Sequence, residues 1–158
     1  MRNFRIEIPV CACPYTELDE EDRRLIDAAK EATRRSYAPY SHFAVGAAVL
    51  LANGTIVTGS NQENAAYPSG TCAERTTLFY ANSQYPDQPV KTLAIAARSA
   101  SGFVQTPIPP CGACRQVLLE TEQRYHRPMR ILLYSEQEIY CLEGVKSLLP
   151  LSFGAEFL

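Results

Sequence analysis

The sequence predicts an α/β fold, one mixed sheet of about five strands with helices on both faces. Two observations carry this. Apolar periodicities follow one another in the order α, β, β, α, β, α, β, β, and no linker or repeat divides them. The length, 158 residues, suits one compact domain, which at that size buries roughly 70% of its unfolded surface without help from disulfides.

Residues 1–17 read as an N-terminal extension with little periodicity, and residues 18–158 as the domain proper. Within the extension, Cys11 and Cys13 form a CxC spacing tighter than that of common zinc modules. From Leu18 to Ser36 the pattern is helical, with Leu25, Ile26, Ala29 and Ala32 on one side and Asp19 or Asp22 able to cap the start. Phe43 to Leu51 is a largely buried strand, and Thr55 to Ser60 its hairpin partner across Asn53-Gly54, a type I′ turn signal. A loop from Gln62 to Thr71 leads to a helix from Cys72 to Gln84. Val90 to Ala97 is the next buried strand, and a Pro-rich loop then ends at Pro109-Pro110 before a helix from Cys111 to Tyr125. Met129 to Tyr134 and Glu138 to Leu142 are two further strands, with a short helix or turn over Val145 to Leu149.

The net charge of −2 and pI near 5.7, without a basic run, give no footprint for a phosphate backbone, so small substrates are expected and nucleic acid is not. No stretch of about 20 apolar residues exists, and the N-terminal segment lacks a signal-peptide core, so a soluble, cytoplasmic protein without membrane contact is expected. Six cysteines in such a chain are read as metal ligands or free thiols.

Three of them carry the chemistry. Cys72, in CAER (Cys72 to Arg75), and Cys111 and Cys114, in PPCGACR (Pro109 to Arg115), offer three thiolates to one metal. Structural zinc is normally closed by four protein ligands, whereas a catalytic zinc keeps a position open for water. Both strings sit where a helix begins, so unpaired N–H groups and the helix dipole favour thiolate. Three thiolates leave zinc with a formal charge of −1, which weakens it as a Lewis acid. Arg75 and Arg115, each directly after a site residue, are candidates to draw charge from the sulfurs. Glu74 is placed to carry protons, although acidic residues are favoured in the first turn of any helix.

Taken with YAPYSHFAVGAA (Tyr37 to Ala48), NQENAAYP (Asn61 to Pro68) and LLPLSFG (Leu148 to Gly154), these strings resemble the cytidine deaminases of the small homotetrameric, three-cysteine type, from Leu18 to Gly154. The resemblance implies a three-layer cytidine-deaminase-like sandwich holding one Zn²⁺ per subunit. It implies hydrolysis of cytidine and deoxycytidine in pyrimidine salvage, giving uridine or deoxyuridine plus ammonia. Metal-activated water would attack C4, and Glu74 would move its proton to N3 and then to the departing amine. Ala73 would contact the base edge through its backbone, and Phe43 would wall the base. Asn61 and Glu63 would hold the sugar hydroxyls, and being two apart they share a side of an extended segment. Tyr67 and Phe153 would complete neighbouring sites across a homotetramer. Gln62, Ala155 and Phe157 depart from the pattern.

Other readings stand beside this one. The substrate would be a related one, such as a nucleoside antibiotic, free cytosine or an RNA cytosine. Alternatively Cys141 or His126 would close a purely structural zinc site. From the residues alone, Cys141 reads as a buried strand thiol, and His42 and His126 as turn and helix-end residues.

Overall fold

A computed structural model describes all 158 residues. Seven strands form one sheet in the order β1-β7-β6-β4-β2-β3: β1 (Cys11–Cys13), β2 (Ala44–Leu51), β3 (Ile56–Ser60), β4 (Val90–Ser99), β6 (Arg130–Tyr134) and β7 (Ile139–Glu143), with β5 (Gly102–Phe103) paired to β4. All pairs are antiparallel except β4 with β6, which need a crossover and receive it through helix α3 (Gly112–Tyr125). The five long strands are those expected. The two additional ones are short, and β1 draws residues 11–13 of the extension into the sheet by pairing with β7.

Strand periodicity divides the core in two. Ala47, Val49, Leu51, Leu93, Ile95, Ile131 and Leu133 point to one face, where helix α2 (Ala73–Gln84) and α3 contribute Leu78, Ala81 and Leu118. Ala48, Leu50, Ala94, Ala96, Leu132 and Cys141 point to the other, covered by Leu25, Ile26 and Ala29 of helix α1 (Glu20–Ala32). The chain is therefore a three-layer sandwich with helices on both faces. Asp19 caps α1 by accepting from Asp22 N at 2.8 Å. Buried Asp22 pairs with Arg130 of β6, and Arg130 also reaches Glu143 at 3.2 Å.

The hairpin turn differs from the expected type I′. Such a turn needs positive φ at both central residues. Only Gly54 adopts it, at +85°, and Gly54 N donates to Leu51 O at 2.9 Å. Leu51 N bonds Thr55 O, so the loop is three residues long with the left-handed glycine last, and Asn53 Oδ1 accepts from Thr55 N instead of supplying left-handed backbone. A second glycine acts by its size. A Cβ on Gly59 would stand 2.5 Å from Thr77 Oγ1, so its absence lets α2 lie close on β3.

Candidate active site

Two helix starts meet on the α2/α3 face. Cys72 is the N-cap of α2 and Cys111 the N-cap of α3, and neither cap is made by a side-chain hydrogen bond, so both sulfurs are free for other work. The first N–H groups of each helix have no partner within the helix, and they present partial positive charge to this spot. Cys72 Sγ lies 3.8 Å from Cys111 Sγ, and Cys111 Sγ lies 3.5 Å from Cys114 Sγ. All three ligand atoms fall within 4.8 Å of one another. A tetrahedral zinc with metal–sulfur bonds near 2.3 Å separates its sulfurs by about 3.8 Å, so the donor set fits that ion.

Electrostatics point the same way. Hydrogen bonding from Cys114 lowers the Cys72 thiol to about 5 against the cost of burial, with help from Cys111 and Arg75. Cys114 moves up, because it shares a proton with Cys72 and is buried beside the Glu74 carboxylate. Three sulfurs and a carboxylate cannot all ionise at such range without a cation. Glu74, 5% exposed, has its carboxyl raised by burial and further by Cys72, while Arg75 opposes the rise. The guanidinium of Arg75 is held charged by Cys72 and Cys114 although burial works against it, and its Nε is buried without a hydrogen-bond partner. That unpartnered donor beside a negative cluster is what charge compensation of a thiolate metal site requires.

Residues 19–126 match the family model described as cytidine and deoxycytidylate deaminase zinc-binding region. The chain belongs to this family. It is 39% identical over 140 residues to a cytidine deaminase of Halalkalibacterium halodurans, covering 84% of this chain and 93% of the relative. The crystal structure of a cytidine deaminase from Burkholderia pseudomallei aligns with TM-score 0.71 and 38% identity, over 82% of this chain and 97% of that one. A structure of a Mycobacterium tuberculosis cytidine deaminase aligns with TM-score 0.66 and 31% identity, over 86% and 99%.

Beside the cysteines of this family member lies an open cavity of about 480 Å³, lined by Asn61, Glu63, Tyr67, Cys72 and Arg75 together with Tyr40, Ser41 and Thr71. The floor is held by the loop itself: Gln62 and Thr71 exchange two backbone hydrogen bonds of 2.9 Å, and Gln62 Nε2 donates to Arg35 O and Ser60 Oγ at 3.1 Å. Gln62, which departs from the family pattern, is thus a polar stitch that holds this loop. Tyr40 and Ser41 were not singled out from the sequence. Their backbone N–H groups and the Ser41 hydroxyl donate to Glu63, which fixes that carboxylate and lowers its pKa, the Ser41 hydroxyl most. The tyrosine-, proline- and serine-rich run before β2 was the available signal, since such residues favour a rigid turn.

Asn61 is committed to the fold as well as to the cavity. Its Oδ1 accepts from Ser36 Oγ and Val45 N, and its Nδ2 donates to Phe43 O at 2.9 Å. One Nδ2 hydrogen is left for a ligand. Phe43 is half-buried just before β2 and does not line this cavity; Ala73 is buried at the first turn of α2. Tyr67 is 77% exposed, edge-on to Tyr40 at 6.2 Å. Phe153 is 61% exposed on the tail, stacked on Phe157 at 5.7 Å and tied to α3 by Gln116 Nε2 donating to its carbonyl at 2.9 Å.

In this structure the Arg115 guanidinium is engaged by backbone carbonyls. Its Nε donates to Pro110 O at 2.8 Å and its Nη1 to Leu148 O at 2.7 Å, so it pins the loop that presents Cys111 to the segment after β7, and makes no hydrogen bond to a sulfur. Two proposed fourth ligands are also displaced. Cys141 faces the α1 layer, across the sheet from the cluster. His126 caps the far end of α3, twelve residues or roughly 18 Å along the helix from Cys114. A closed four-ligand site is not assembled here.

Proposed function

We propose that the protein is a zinc-dependent hydrolase that deaminates cytidine, and deoxycytidine with it, to uridine or deoxyuridine and ammonia in pyrimidine salvage. The observation that carries the reading is a three-sulfur cluster without a fourth protein ligand, with a buried carboxyl two residues from its first cysteine and an open cavity beside it. Cys72, Cys111 and Cys114 would hold the zinc, which when bound supplies the Lewis acidity that makes water nucleophilic at neutral pH.

The chain's own residues do the rest. Glu74, raised by burial, is poised to take a proton from the attacking water and pass it to N3 of the base, then to the amine leaving C4. Arg75 and the two helix starts offset the negative charge that three sulfurs impose. Glu63 and the remaining Nδ2 hydrogen of Asn61 receive the sugar hydroxyls in the cavity, which favours a nucleoside over a free base. Ala73 contributes backbone at the base edge, and Phe43, which lies outside the cavity that takes the sugar, an apolar wall beside the base. Residues 18–158 form the catalytic domain, and residues 1–17 an extension.

The assembly read into this is a cytoplasmic homotetramer. The exposed rings of Tyr67 and Phe153 support it, since Phe153 lines a different cleft of its own chain from the cavity at Cys72 and is open to a neighbouring subunit. No helix is long and apolar enough to cross a membrane.

Ammonia release measured across cytidine, deoxycytidine, cytosine and CMP tests the substrate. The two nucleosides are expected to react and the other two to react at least tenfold more slowly. Preference for free cytosine would overturn the sugar-binding role of Asn61 and Glu63.

A further inference from the structure

The other three cysteines are not used by the site. In the β1–β7 pairing Cys11 stands opposite Cys141 and Cys13 opposite Ile139, and side chains two apart on a strand share a face. Cys11, Cys13 and Cys141 therefore lie on one side of the sheet edge. Cys13 Sγ comes within 4.0 Å of Cys141 Sγ, and both pack against the apolar layer under α1. Cys11 is exposed and Cys13 half-buried, so reagents reach the pair from the edge, while Cys141 is 6% exposed. Cys13 is the diagonal neighbour of Cys141, where Cα atoms stand about 7–8 Å apart, so bonding takes a small shift of the short edge strand β1 along β7 as well as a side-chain rotation. The three sulfurs do not close into a metal cluster as Cys72, Cys111 and Cys114 do.

We propose that Cys13 and Cys141 form a reversible disulfide site that is oxidised by small-molecule disulfides of the glutathione class and staples β1 to β7. The Cys13 thiolate attacks one sulfur of the oxidant, whose S–S bond breaks and whose other half leaves as a thiolate. Cys141 then gives up its proton and attacks the Cys13 sulfur of the mixed disulfide, expelling the second half. Two protein thiols lose two electrons in total, and one small disulfide becomes two thiols, which take up the two protons. Burial pushes the Cys141 thiol up to about 12, with neighbouring Cys13 adding to the rise, so Cys141 is the second and not the first to react. The staple fixes the root of residues 1–10, which are exposed and without regular structure.

The test uses the full-length, zinc-loaded protein incubated with oxidised glutathione. Trypsin places Cys11 and Cys13 in one peptide, residues 6–23, and Cys141 in another, residues 131–146. Expected is a cross-link between these peptides that fragmentation assigns to Cys13, with two thiols lost per chain, zinc retained, and reversal by dithiothreitol. Cys11→Ser should keep the cross-link and Cys13→Ser should abolish it; the urea midpoint should rise on oxidation in the wild type only when the bond forms. A free Cys141 after exhaustive oxidation, a bond assigned to Cys11, or oxidation that proceeds only with loss of zinc overturns the proposal. Fragmentation of the wild-type cross-link decides the matter even if Cys13→Ser fails to fold.

Discussion

The six cysteines form two groups of three on opposite sides of one sheet, and the two groups behave differently. On the α2/α3 side, hydrogen bonds from Cys114 and Cys111, with Arg75 beside them, bring Cys72 down to about 5 although burial opposes it. On the α1 side, an apolar layer and a neighbouring thiol drive Cys141 up to about 12. Both groups contain sulfurs within 4.0 Å of each other, so proximity does not separate them. The surroundings do: partial positive charge and a guanidinium favour metal-ready thiolate, and hydrocarbon favours the protonated thiol.

Changes on the metal side should have the largest effects. Cys72→Ala is expected to reduce zinc below stoichiometry and ammonia release by well over ~10³-fold, because an unassisted water is a far weaker nucleophile. Far-UV circular dichroism should barely change, since the two apolar layers on either side of the sheet do not include the metal. Glu74→Gln should keep zinc, measured by metal analysis, and lower kcat about 10²- to 10⁴-fold through loss of proton transfer. Arg75→Ala should cost about 10- to 100-fold in zinc affinity or rate, the usual scale for groups that support metal ligands.

The apolar side should respond in stability and not in rate. Cys141→Ser places a hydroxyl in hydrocarbon and is expected to destabilise by ~1–3 kcal/mol in urea unfolding with kcat unchanged. Alkaline pH acts on the same thiol. A thiol whose folded pKa lies above its unfolded value stabilises below the unfolded value, and that contribution is lost as pH climbs towards the folded one. Between roughly pH 9 and 12 the wild type should therefore lose more stability than Cys141→Ala, compared by urea midpoints at several pH values.

Much of this contrast was legible in the residues. The five long strands and three helices announce themselves through apolar periodicity, and Cys72, Cys111 and Cys114 through their place at helix starts. What was not legible depends on tertiary partners. The segment Cys11–Cys13 has no pattern of its own and becomes a strand because β7 offers an unpaired edge. Arg115 follows Cys114 directly in sequence, yet its guanidinium donates to the carbonyls of Pro110 and Leu148, and the fold that brings Leu148 near has no local signature. Asn61 carries three internal hydrogen bonds that no local pattern encodes, since its partners come from Ser36, Phe43 and Val45. The Asn53-Gly54 dipeptide permits two left-handed residues, whereas the three-residue loop that joins β2 to β3 uses one.

The most direct test of the account is zinc content and ammonia release from cytidine, measured on the same purified sample. About one zinc per chain with ammonia released is the expected result, for the wild type and for the Cys13→Ser and Cys141→Ser variants alike. A fully zinc-loaded protein that releases no ammonia from cytidine or deoxycytidine would contradict it.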